Sequence, residues 1–294
     1  MTSQRLFYPR GTLSSSGWAL ELTPVQAQWS WSSLRILELG KGGAQEFDTG
    51  ENELVVLPLS GSCVVRCSGE EISLAGRHDV FAGPSDFAYV PRGCTALVSS
   101  RAGGRFALPG ARTERVLPFR YGSADRVAVE FRGAGACSRQ VNNFCTPETF
   151  DADRLIACEV LTPGGNWSSY PPHKHDEEGP NETALEEIYY FEVAPGPTGD
   201  GMAYQRVYGT DERPIDLITE VRSGDTVVIP YGWHGPSMAV PGYDLYYLNV
   251  MAGAGERAWR ICYDPAHAWI RDTWGDEEVD HRLPFAIGPT DRAQ

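Results

Sequence analysis

The chain has 294 residues, 41% hydrophobic and 22% charged, an ordinary globular balance that excludes an intrinsically disordered polymer. Its 39 acidic residues against 25 basic ones leave a formal charge of −14, which repels nucleic-acid phosphates and anionic lipid headgroups at long range. Lys41 and Lys174 are the only lysines, so an anionic small molecule has to be met by a local arginine cluster rather than by the overall field.

Thirty-two glycines and 21 prolines favour short strands and tight turns over long helices. The start, Met1–Gly11, lacks the apolar stretch of a secretion signal, and no segment approaches the roughly 20 apolar residues of a membrane span, so a cytoplasmic protein is expected. In chain order, strands are predicted at Leu54–Leu59, Asp86–Val90, Leu155–Leu161, Ala184–Val193, Gly201–Tyr208, Thr226–Ile229 and Tyr243–Val250, where apolar and β-branched residues alternate or run together. Gly/Pro-rich turns such as Pro195–Gly201 and Gly232–Pro236 separate them, as in a sandwich or barrel. The seven cysteines include no C-x-x-C; Cys63 and Cys67 fall on one side of an extended run and read as reduced, buried thiols.

The order of these strands repeats. Asp86–Gly93 (DFAYVPRG) aligns with Asp225–Gly232 (DTVVIPYG), 139 positions later, and Glu53–Gly61 echoes Glu187–Gly196 in the same order. Two matches in register predict an all-β chain of two related barrels, residues 1–145 and 146–294, joined near Asn142–Glu148.

Three of the six histidines stand at suggestive places in the second repeat, His173 and His175 in PPHKH and His234 in PYGWHGP. Two histidines at i and i+2 on an extended segment face the same way and can reach one ion. A carboxylate from Leu185–Phe191 would complete three nitrogens and one oxygen, a donor set suited to Zn²⁺, Mn²⁺, Fe²⁺ or Ni²⁺ with positions left for water or substrate. Strand parity puts Glu187 and Glu186 on opposite faces, and the sequence alone does not say which face looks inward. Lys174 points away from its flanking histidines, and His267 and His281 read as structural.

The ordered set H-x-H, Glu, and Gly224, Pro230, Gly232, His234 resembles the cupin double-stranded β-helix. The longer runs YPPHKHDEE, LEEIYYF, YQRVYGTDE, IPYGWHGPSMAVPGYDLYYLNVMAG and DPAHAWI, with SRQVNN at Ser138–Asn143, are similar to the 5-deoxy-glucuronate isomerase family of myo-inositol catabolism. The resemblance implies a bicupin with its metal in the C-terminal barrel, on His173, His175, Glu187 and His234. The eleven residues between His175 and Glu187, more than the general cupin spacing, leave Glu186 as a rival ligand. The first barrel has Thr95 where the second has His234 and is expected to serve packing and assembly into a homodimer or higher oligomer. The implied reaction converts an aldose to a ketose on a small anionic sugar acid. For it, Glu186 and Tyr246 are candidate proton carriers, Arg206 the candidate grip on the substrate carboxylate, and Tyr243 and Tyr247 further substrate contacts. A cupin dioxygenase and a non-catalytic sugar-binding cupin are the rival readings.

Overall fold

Strand alternation sorts the apolar side chains into three cores, one inside each of two β barrels and a third between them. The structure is a computed structural model, described here over residues 4–285. The first barrel is filled by Leu37, Phe47, Leu54, Val56, Val65 and Phe106, and the second by Val160, Tyr189, Phe191, Val227, Ile229 and Tyr247. Between them Leu34, Ile36, Val55, Leu57 and Tyr89 of the first half meet Leu161, Ile188, Tyr190, Tyr246 and Leu248 of the second.

The first barrel is wound around one 16-residue strand, Asn52–Cys67. Its early part pairs with Phe87–Val90 and Gly104–Arg112, its later part with Glu70–Arg77 and Thr95–Ser99. The change of partners occurs across an irregularity at Pro58–Gly61, where Gly61 has φ +81° and a Cβ would lie 2.5 Å from the Gly103 carbonyl. Only glycine fits that corner.

The second barrel has a seven-stranded antiparallel sheet in the order Phe7–Tyr8, Thr226–Ile229, Glu186–Val193, Leu245–Ala252, Ile156–Thr162, Arg139–Cys145 and Ala128–Arg132. A four-stranded sheet of Trp167–Ser168, Ser237–Ala239, Ala203–Tyr208 and Asp216–Val221, and the pair His173–Lys174 with Cys262–Tyr263, complete this half. The predicted strands are present, most with ends shifted by one or two residues, while Leu54–Leu59 is the front part of the longer strand Asn52–Cys67.

The predicted division at 145/146 does not follow the hydrogen bonding. Ala128–Arg132 and Arg139–Cys145 belong to the second sheet, and so does Phe7–Tyr8, which pairs with Thr226 and Val227. The second sheet therefore takes up chain from the first half, and Phe7–Tyr8 borders Thr226–Ile229 as Arg120–Gly122 borders the repeat-related Phe87–Val90.

Polar links join the halves. Glu53 accepts hydrogen bonds from the backbone N–H groups of Asp153, Arg154 and Leu155 (2.9, 2.6 and 2.7 Å), just ahead of strand Ile156–Thr162. Glu186 does the same for Ser30, Trp31 and Ser32 (2.7, 2.8 and 2.9 Å) where strand Ser32–Leu39 begins. Each barrel thus caps the entry strand of the other, and the structural counterpart of Glu53 is Glu186, one residue from the match suggested by the repeat. Arg77 of the first half and Glu159 of the second form an ion pair with both side chains at most 3% exposed, and Tyr246 Oη and Asn142 Nδ2 donate to the same carboxylate at 2.9 and 3.1 Å.

Candidate metal centre

Three separate segments bring the donors together. His173 lies on a two-residue strand, and its backbone exchanges hydrogen bonds with that of His234 at 2.9 and 2.8 Å, so the H-x-H segment and the GWHGP turn are fastened side by side. Asp176 tightens the junction by accepting from Gly232 N at 2.8 Å. Gly235 has φ +110°, and a Cβ there would lie 2.4 Å from the Ser169 carbonyl and 2.8 Å from the His173 ring, so the close approach of this turn to His173 requires glycine. Glu187 comes from strand Glu186–Val193, registered against Ile229 on one side and Met251 on the other.

All four side chains are buried, and one donor atom from each lies within 4.8 Å of the others. Glu187 Oε2 is 3.0 Å from His175 Nε2 and 2.9 Å from His234 Nε2, and the two Nε2 atoms are 3.1 Å apart. The Nδ1 atoms face the carbonyls of Leu185 (3.3 Å) and Gly232 (2.7 Å). A carbonyl only accepts, so each neutral ring carries its proton on Nδ1 and turns an Nε2 lone pair inward. Two lone pairs and a carboxylate oxygen converging at about 3 Å repel unless a cation stands among them. The donor set therefore fits a divalent metal ion.

The same arrangement favours a proton on His175. Burial disfavours the His175 imidazolium, but the hydrogen bond and charge of Glu187 outweigh it and raise the His175 pKa. Burial would raise Glu187, yet His175 and His234 bring it down to about 2. Burial, with the neighbouring His234 and His175, pushes His173 well below the ordinary imidazole value, so it stays a neutral donor.

The cluster opens into a cavity of about 450 Å³ whose lining includes His173, Glu187, Tyr189, Asn249, Ser169, Trp259 and Tyr263. That volume suits a small ligand. Three arginines, Arg132, Arg139 and Arg271, also line it.

The other predicted site residues lie elsewhere. Glu186 is on the far face of its strand, its carboxylate occupied by the Ser30–Ser32 backbone, so it is neither ligand nor proton carrier here. Tyr246 also faces the core between the barrels and donates to Glu159, which excludes it from the metal cavity. Arg206 pairs with Asp216, bonds the Val207 and Leu217 carbonyls at 3.0 Å, and borders a different surface depression. Tyr243 covers Gly196 and Gly201 and does not line the cavity. Tyr247 does point into the second barrel, with Oη 2.8 Å from Ser169 Oγ and its ring tilted against Tyr189 at 5.0 Å. It stands behind the cavity wall. Lys174 turns away from the donors to Asp176 and Glu182, as its parity required. Sequence reading missed Arg132 and Arg139 because their strands, Ala128–Arg132 and Arg139–Cys145, fall within the predicted first barrel; Arg271 comes from the 3₁₀ helix Ala268–Asp276, which no site motif marked.

Known proteins agree with this architecture. A Geobacillus kaustophilus protein named 5-deoxy-glucuronate isomerase is 39% identical over 272 residues, 92% of this chain and 96% of the relative. A Bacillus subtilis strain 168 protein of the same name is 35% identical over 253 residues, 85% of this chain and 91% of the relative. The crystal structure of an IolB-like protein from Salmonella typhimurium LT2 superposes with a TM-score of 0.83 at 33% identity, covering 90% of this chain and 99% of that one. Oxalate decarboxylase from Lactobacillus farciminis shares the fold alone, with a TM-score of 0.62 at 12% identity over 90% of this chain and 89% of that one. The sequence profile of the KduI/IolB family matches residues 6–270, and this chain, a two-barrel cupin, belongs to that family.

Proposed function

We propose that the protein is a metal-dependent aldose–ketose isomerase that converts 5-deoxy-D-glucuronate to 5-dehydro-2-deoxy-D-gluconate in myo-inositol degradation. The observation that carries this proposal is the buried convergence of His173, His175, Glu187 and His234 in a chain whose relatives bear the name of that isomerase over most of their length. A divalent ion of the Zn, Mn, Fe or Ni class, held by these four residues, supplies Lewis acidity toward the sugar's C1 carbonyl and C2 hydroxyl. The reaction moves hydrogen from C2 and O2 to C1 and O1, with no external oxidant or reductant.

The chain's own part is to hold and shield. Tyr189, Trp259 and Tyr263 give the cavity an apolar wall that limits water around the reacting carbons, while Ser169 and Asn249 present polar groups to a polyhydroxylated chain. Nδ1 hydrogen bonds to the Leu185 and Gly232 carbonyls fix two of the imidazoles in the donor tautomer. Within the described residues no helix is long and apolar enough to cross a membrane.

The test is elemental analysis of the purified protein followed by an assay with 5-deoxy-D-glucuronate. Stoichiometric metal and ketose formation without oxygen uptake are expected. Oxygen consumption would favour a dioxygenase, and substrate binding without turnover a sugar-binding cupin.

A further inference from the structure

The cavity beside the metal cluster contains a buried guanidinium with no counter-ion. Arg139 is 6% exposed, yet among the described residues it pairs with no carboxylate. Its Nη1 donates to the Cys137 carbonyl at 3.1 Å and reaches toward that of Tyr170 at 3.5 Å. Among the described residues Nε and Nη2, the edge of the fork that matches a carboxylate, make no hydrogen bond, and the guanidinium faces the Trp274 ring at 5.9 Å. Of the other cavity arginines, Arg132 is neutralised by Glu130 at 2.8 Å, whereas Arg271 stands exposed over the Tyr263 ring at 4.3 Å and makes no ion pair among the described residues. Asn249 also lines the cavity with a buried side-chain amide.

A buried charge is costly unless an anion answers it, and an idle guanidinium fork selects a planar, bidentate anion. On a chain of net charge −14, an anionic ligand also needs such a local counter-charge. We infer that Arg139 binds the carboxylate end of a sugar acid whose other end lies at the metal cluster, with Arg271 at the mouth, and that this pair makes the site selective for uronates over neutral sugars. The inference rests on the isomerase proposal for the substrate, and it moves the anion grip from Arg206, which Asp216 already occupies, to the interior of the second barrel.

The experiment compares wild type, Arg139→Met, Arg139→Lys and Arg206→Ala. Kinetics are measured with 5-deoxy-D-glucuronate and its neutral analogue 5-deoxy-D-glucose. Calorimetry with methyl β-D-glucuronide and methyl β-D-glucoside, which are not turned over, reports binding independently of catalysis, and elemental analysis reports metal content. Arg139→Met should lower kcat/KM and affinity for the anionic ligands on the order of 100-fold, the scale of a lost charge-assisted pair, and change the neutral ones less than about threefold. Arg139→Lys should recover part of the loss, Arg206→Ala should match wild type, and metal content should stay constant in all four proteins. Equal losses for charged and neutral sugars, unchanged glucuronide affinity in Arg139→Met, or no glucuronide binding by wild type would overturn the assignment. If wild type binds the glucuronide in an Arg139-dependent way but leaves 5-deoxy-D-glucuronate unchanged, the isomerase proposal fails and the anion site stands.

Discussion

The adjacent glutamates Glu186 and Glu187 allow a sharp test, because the same substitution should damage different properties at each. In Glu187→Gln the side chain keeps its shape but loses the charge that faces His175 Nε2 at 3.0 Å and His234 Nε2 at 2.9 Å. The amide must turn either its oxygen or its NH₂ toward the metal position, and neither replaces an anionic donor. Metal affinity should fall by more than the roughly 10–100-fold typical of a group that merely supports a ligand, and activity should fall with it. In Glu186→Gln the amide oxygen can still accept from Trp31 and Ser32, now bonded at 2.8 and 2.9 Å, but its NH₂ then confronts the Ser30 N–H, now bonded at 2.7 Å. One charge-assisted bond near the surface is lost, which costs about 1–2 kcal/mol of stability, or about 2–3 °C in Tm for a chain of this length. Metal titration and calorimetric unfolding of both variants measure the two effects. Loss of metal from Glu186→Gln with retention in Glu187→Gln would refute the assignment of the ligand face.

Four further outcomes are expected. Glu159→Gln strands the Arg77 guanidinium in the core between the barrels and should cost about 3–5 kcal/mol in denaturant unfolding; a cost below about 1 kcal/mol would show that this pair does not hold the halves together. Tyr246→Phe removes one hydrogen bond to Glu159 and should cost about 1 kcal/mol while kcat stays unchanged, whereas a large fall in kcat would return Tyr246 to the chemistry. Gly235→Ala drives a methyl group against His173 and the Ser169 carbonyl and should weaken metal binding at least tenfold, about 1.4 kcal/mol; wild-type affinity would mean that the turn yields freely. Metal affinity should also depend on pH in one direction. In the metal-free protein the raised pKa of His175 means that the ion must displace a proton, so apparent affinity should be flat above that pKa and fall about tenfold per unit below it; a flat profile from pH 8 to 5 would contradict the shared-proton cluster.

How far the sequence reaches depends on whether the deciding contact is local. H-x-H on an extended segment, a downstream acidic strand and P-x-G-x-H were enough to name His173, His175 and His234, because i, i+2 parity and a Gly-Pro turn fix side-chain direction within a few residues. The internal repeat likewise showed two barrels, since strand Phe87–Val90 and strand Thr226–Ile229 carry the same turn chemistry. Glu186 and Glu187 could not be ranked by parity, because strand Glu186–Val193 is buried on both faces and offers no solvent side to break the tie. Only tertiary packing supplied the backbone N–H groups of Ser30–Ser32, more than 150 residues away, that satisfy Glu186, while Glu187 joins the histidine cluster.

The same division separates Arg206 from Arg139. By residue type both fit a carboxylate, and Arg206 stood in the more conspicuous motif. Its partner Asp216 lies across a hairpin on the surface, while Arg139 enters the cavity because Arg139–Cys145 pairs with Ile156–Thr162 in the second sheet. Residue chemistry and short-range periodicity set the alphabet of the site. Which cation is left unanswered, and which carboxylate is already spoken for, depends on contacts between chain segments far apart in sequence, and those exist only once the barrels have closed on each other.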